Sequence, residues 1–263
     1  MLRKLLKYDL NYIFKLIMIF YTLAMIFGLL TRLFFSFENS LVLEIIGQIA
    51  QGTAISMMCS TVINNIMRMW VRFKFHFYGD ESYLTHTLPV KKGSLYLSMI
   101  LTTVITLFAS FALVCSVLFV AYYSKENLQL IKNLLLPLAE VYDSAMLGIV
   151  FAGVFVLFLE FLNIVQCGFT GIILGHRQNN AKIGFSVLFG SIAFFVSQIV
   201  ILAILFGIAI FNKDFMNLFV TNTVPDVDTI KAMIYISIGN YTLVSALMCF
   251  VNIRLFEKGV DVD

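Results

Sequence analysis

Six apolar runs, each longer than the roughly 18 residues that mark a transmembrane helix, account for most of this 263-residue chain. They fall at about residues 13–35, 41–67, 94–123, 141–174, 183–211 and 232–253. A soluble domain of this length could not hide so much apolar surface: 60% of the residues are hydrophobic, only 13% are charged, and the mean hydropathy is +0.95. Lipid is therefore part of its solvent. Only 3 Pro and 15 Gly interrupt the runs, and none alternates with the ten-residue rhythm of a barrel strand, so the spans are helices. The fold expected is an all-α integral membrane protein with six transmembrane helices. Without an internal repeat or a low-complexity linker, residues 1–263 read as a single transmembrane domain.

Ahead of the first span, Leu2, Leu5, Leu6 and Leu10 share one side of a helix, and Arg3, Lys4 and Lys7 share the other. That division predicts an amphipathic interfacial helix leading through an elbow into the span. The span is long and lacks an Ala-x-Ala cleavage site, which argues against a cleaved signal. With both termini inside, Arg3, Lys4, Lys7, Lys15, Arg68, Arg72, Lys74, Lys91, Lys92, Arg177, Lys182, Arg254 and Lys258 share the inner side. That is 13 of the 18 Lys and Arg residues. The bias predicts cytoplasmic termini in a multi-pass plasma-membrane protein.

Polar groups within the spans should face other helices or a wet cavity. The second span carries Gln48, Gln51, Ser56, Asn64 and Asn65. The fourth carries Glu160, the one acid placed mid-membrane, with Asn163 and Cys167 following on the same face. An acid there costs about 2.5–3.5 kcal/mol on insertion scales. Glu160 therefore either contacts cargo in a transport path or is held by a neighbouring helix or subunit. Gly168, Gly171 and Gly175 follow at three- and four-residue spacing, which lets another helix approach closely.

Several features carry no chemistry. Cys59, Cys115, Cys167 and Cys249 lie in separate runs, so neither a disulfide framework nor a metal site is indicated. His76, His86 and His176 fall in inner loops as surface residues. Trp70, Arg72, Phe73, Lys74, Phe75, His76 and Phe77 interleave bases with aromatics, a pattern that at the end of a span anchors a helix at the interface rather than binding nucleic acid. Leu128, Ile131, Leu135 and Leu138 predict a short helix in the first outer loop. In the second, Phe215, Met216, Leu218, Phe219 and Val220 are apolar on either side of polar neighbours.

One inner loop is patterned: Gly79-Asp80-Glu81-Ser82-Tyr83-Leu84-Thr85-His86-Thr87-Leu88-Pro89-Val90-Lys91-Lys92. Asp80 or Ser82 can cap a helix, and Glu81 suits its first turn. Leu84 and Leu88 share a face four residues apart, Pro89 ends the helix, and the lysines return the chain to the membrane surface. The product is a short helical knob outside the bilayer.

This loop resembles the coupling segment of ABC-2 type transporter permeases, which carries an acid-x-x-Leu-x-x-x-x-Pro pattern between the second and third spans. The short basic turn from Gly175 to Lys182 is also similar. The resemblance implies the membrane subunit of a bacterial ATP-driven exporter. Its knob, through Asp80, Glu81, Leu84, Leu88 and Pro89, docks into a cleft on a separate ATP-binding cassette subunit, paired with a second copy or a homologous permease. It implies short re-entrant helices in the second outer loop. ATP and Mg would belong to the partner subunit, and this chain would be no enzyme itself. That agrees with the lack of a Gly-x-x-x-x-Gly-Lys-Ser/Thr loop and of any stretch large enough for a nucleotide-binding domain. The cargo implied is an antimicrobial peptide, drug or other amphiphile. The alternative is a membrane sensor or immunity protein that binds a peptide without moving it. A secondary transporter would show paired broken helices or inverted repeats, and neither is evident.

Overall fold

The structure is a computed structural model that describes residues 2–37, 41–87, 89–124, 127–130, 132–133, 136, 146–211, 216 and 227–258. Most of these residues lie in α1 (Leu2–Phe35), α2 (Leu41–Tyr78), α3 (Ser82–Thr87), α4 (Lys92–Tyr122), α5 (Met146–Gly175), α6 (Lys182–Phe211) and α7 (Val227–Glu257). No strand occurs among the described residues. All but α3 are long and apolar enough to cross a membrane. The second helix runs eleven residues beyond the apolar run that ends at Met67, so the aromatic and basic segment continues it rather than leaving it. Its 38 residues make about 57 Å, well over the ~30 Å of a hydrocarbon core.

The first helix is unbroken from Leu2 to Phe35, with no elbow between Leu10 and Ile13. No Pro or Gly intervenes to bend it there, and the amphipathic division persists: Arg3, Lys4 and Lys7 are exposed, while Leu5, Leu6 and Leu10 are half-buried. Residues 127–130 and 132–133 are helical, as the loop pattern predicts for that part. Ile131, Leu135 and Leu138 lie outside the described residues, as do Val141 to Ala145 of the fourth span. So do Phe215, Leu218, Phe219 and Val220 of the second outer loop.

Two compact units divide the chain: Met1–Phe75 with Thr87–Leu130, and His76–His86 with Ile131–Asp263. In the first, Ala24 of α1, Met58 of α2 and Val117 of α4 form a buried cluster, flanked by Met25, Met57, Leu113 and Val114. Gly28 admits α4, since a Cβ there would lie 2.8 Å from Val117 Cγ1.

In the second unit α5 packs on both α6 and α7. The glycine spacing sets the α5–α6 contact. A Cβ on Gly171 would lie 2.6 Å from Gly190 Cα and strike the Ser186 carbonyl oxygen, and one on Gly175 would strike Ser186 itself. Backbone meets backbone there, which is the dispersion-driven packing that lipid-bathed helices depend on.

Candidate functional site

The patterned loop emerges directly from the end of α2. After Tyr78 the chain turns through Gly79, Asp80 and Glu81, with the Ser82 amide donating to the Gly79 carbonyl (2.9 Å). Glu81 does not occupy the first helical turn as its sequence position predicts; it precedes α3, and its carbonyl accepts both the Thr85 amide (3.1 Å) and the Thr85 hydroxyl (3.0 Å). Its carboxylate turns back onto α2, with Oε2 3.2 Å from His76 Nδ1. Asp80 is exposed, and the buried Ser82 hydroxyl has no partner among the described residues, so neither side chain caps the helix. The turn itself does that work.

The short helix divides into a base and a tip. Ser82 and Thr85 are buried, whereas Tyr83 and Leu84 are 65% and 75% exposed. Thr87 and Pro89 are exposed as well. Leu88 and the side chain of His86 lie outside the described residues. The apolar tip is therefore Tyr83 with Leu84, a pairing of adjacent residues that a search for same-face leucines passes over.

The end of α2, from which the short helix springs, is held by aromatic contacts within the second unit. Phe77 meets Phe256 of α7 edge-on at 4.8 Å between ring centroids, and Tyr78 lies at 4.4 Å from the His176 ring. His176 is buried and places Nδ1 2.9 Å from the Ile172 carbonyl. The neighbouring Arg177 donates to the Leu255 carbonyl. His76 and His176 are thus buried structural residues rather than surface ones, because α2 continues far enough to cover them. The turn between α5 and α6 ends at Ala181, whose φ of 51° places a non-glycine residue in the left-handed region.

Deeper in the same unit, the polar residues of α5 face α6 and α7. Gln198 Nε2 donates to Glu160 Oε1 at 2.9 Å, while Glu160 Oε2 is buried without a partner among the described residues. Tyr241 of α7 lies within electrostatic reach of the same carboxyl. Asn163 donates to Ser197 Oγ at 3.0 Å, and Cys167 reaches Asn163 Oδ1 at 3.7 Å. One turn along, Thr170 donates to Asn252 Oδ1 (2.7 Å) and Asn252 to the Gln166 carbonyl (3.2 Å). Glu160 and Asn163 are therefore each hydrogen-bonded to a residue of α6.

The first unit contains a node that sequence reasoning missed. Asp9 Oδ1 accepts from Arg72 Nη2 (3.2 Å) and Nε (3.4 Å), and Oδ2 accepts from Ser98 Oγ (3.2 Å), so α1, α2 and α4 share one carboxylate. Both ionic side chains are nearly sealed, at 1% exposure for Arg72 and 3% for Asp9. The Arg72 guanidinium also lies over the Tyr12 ring at 4.5 Å and the Tyr8 ring at 5.3 Å. Next to it, Phe73 meets Tyr96 edge-on. Arg72, Phe73 and Phe77 are thus buried against neighbouring residues, while Phe75 is exposed, with Lys74 over its ring. The available signal was Asp9 itself, the one acid in a basic and apolar helix.

Further into this unit, Asn65 of α2 donates to Ser110 of α4 (2.9 Å), which also bonds the Tyr21 hydroxyl (2.8 Å). Asn65 thus faces other helices as its polarity requires, whereas Gln48 and Ser56 are exposed, Ser56 being satisfied by the Gly52 carbonyl (2.9 Å). Among the described residues no cluster of His, Cys, Asp and Glu gathers at metal-binding spacing.

No protein-family model matches this chain, and neither a curated protein nor a solved structure matches it.

Proposed function

We propose that this chain is the membrane subunit of an ATP-driven exporter of the ABC-2 type, lying in a bacterial plasma membrane with both termini cytoplasmic. The observation that carries the proposal is the form of the 79–91 segment. A six-residue helix separates two helices of 38 and 31 residues, with Ser82 and Thr85 buried at its base and most of the Tyr83 and Leu84 surface exposed at its tip. Leu84 and Pro89 hold the positions that the coupling pattern requires, and Tyr83 adds apolar area suited to a cleft on a separate ATP-binding cassette subunit.

In this reading the coupling is mechanical. Glu81 braces the turn against His76, so a push on α3 is delivered to the end of α2 rather than absorbed by the loop. The second helix then carries it without a break from His76 to the residues before Phe75. In this reading Asp80 and Pro89 border the docking surface, and Glu81 is a brace more than a contact. A ligand or partner shifts such an equilibrium only through its differential affinity for the two states. ATP and Mg would act on the partner, and a second permease would complete the pathway for an amphiphilic cargo.

Co-purification tests the proposal. A stoichiometric ATP-hydrolysing subunit that is lost on Leu84→Asp supports it. A stable solitary protein that still confers resistance to a peptide would instead make the chain a sensor or immunity protein.

A further inference from the structure

The first four turns of α1 carry an exposed stripe of cations from which the only acid of the helix has been withdrawn. Arg3, Lys4, Lys7 and Lys15 are all exposed, and at 100° per residue they occupy about a third of the helix circumference together with Asn11. None of the four forms an ion pair among the described residues. Asp9 would have interrupted this field, but it points to the opposite side and is neutralised there by Arg72. Tyr8 and Tyr12 border the stripe, 58% and 42% exposed, amphipathic rings of the kind that settle at headgroup depth.

Length places the stripe relative to a bilayer. From Lys15 to Arg32 the helix has no other charged residue and measures about 25 Å, which snorkelling at both ends extends to a hydrocarbon core of ~30 Å. Lys15 then stands at the edge of the core. Lys7 follows about 12 Å further out, and Lys4 and Arg3 stand in the aqueous layer beyond. A membrane's negative surface potential fades over a Debye length of about 8 Å, so the four cations should sense it unequally.

We infer that this face binds the phosphate headgroups of anionic phospholipids, with Lys15 and Lys7 as the main contacts and Lys4 and Arg3 as weaker ones. The inference rests on the membrane-spanning reading and needs no ATP-binding partner, so either can fail without the other.

The test uses the full-length chain reconstituted in mixed phosphatidylcholine and phosphatidylglycerol vesicles, extracted gently, with retained lipids identified by native mass spectrometry. Wild type should retain phosphatidylglycerol selectively. Lys15→Gln should lower that selectivity about five-fold, the effect of one cation near an anionic surface, Lys7→Gln should lower it less, and Arg3→Gln and Lys4→Gln less again. Lys132→Gln, which removes an exposed cation outside the stripe, should leave it unchanged. Equal retention of the two lipids by wild type would overturn the inference, as would undiminished selectivity in the Lys7→Gln and Lys15→Gln variants. Displacement of the retained lipid by inorganic phosphate at low concentration would also overturn it, in favour of a free-anion site. The single variants retain the Asp9–Arg72 node, so circular dichroism should show unchanged helicity.

Discussion

Removing the Asp9 carboxylate isolates the worth of the buried ionic node. In Asp9→Ala the Arg72 guanidinium stays in place, sealed at 1% exposure, and Ser98 loses its acceptor at the same time. Breaking a buried pair from one side costs about 3–5 kcal/mol, because the remaining charge keeps its desolvation penalty without its partner. The Tyr8 and Tyr12 rings offset little of this difference, since they face the guanidinium before and after the change. The node lies six residues, or about 9 Å, from Lys15 towards the start of α1, where water can approach, so the low end, about 3 kcal/mol, is expected. At 2–4 °C per kcal/mol for a protein of this size, the midpoint of thermal unfolding in detergent should fall by about 6–12 °C. The fluorescence of Trp70, the single tryptophan, reports it from two residues away. Arg72→Met should cost a similar amount, but the double variant Asp9→Leu with Arg72→Met should recover much of the loss, since no orphaned charge remains. Single variants that shift the midpoint by less than about 2 °C would refute the reasoning. So would a double variant as unstable as the two losses added.

Three further outcomes follow from the geometry. Gly171→Ala should destabilise by about 1–3 kcal/mol in detergent unfolding, because its Cβ meets backbone that cannot yield, whereas Gly207→Ala, with nothing within 4 Å, should be neutral or gain up to ~1 kcal/mol. Leu84→Ala, at a position 75% exposed, should change the unfolding free energy by no more than about 0.5 kcal/mol, yet under the proposed exporter function it should abolish transport coupled to ATP hydrolysis; normal coupled transport would remove the basis for the proposed docking role. Gln198→Leu should cost about 0.6–1.7 kcal/mol by taking the hydrogen bond from Glu160, with Glu160→Gln costing less because its amide can still accept from Gln198; equal losses would mean that the charge of Glu160, rather than its acceptor, holds α6.

Hydropathy alone determined six helices and the apolar part of each, because a chain in lipid must close its own backbone hydrogen bonds and a long apolar run has one way to do so. The glycine spacing likewise determined the close approach at Gly171 and Gly175, where absent side chains mean the same thing in any context. The tertiary structure decided which polar residues meet. Hydropathy assigns each residue a depth but no partner, so Asp9 and Arg72, 63 positions apart, look like two unrelated interfacial charges until α1 and α2 pack. The end of the second helix was equally unreadable. From Arg68 onward the residues are polar enough to suggest an exit from the membrane, and only the packing of Phe73 on Tyr96 and of Phe77 on Phe256 shows why the helix continues to Tyr78. That continuation delivers His76 to Glu81 and leaves Tyr83 and Leu84 at the tip.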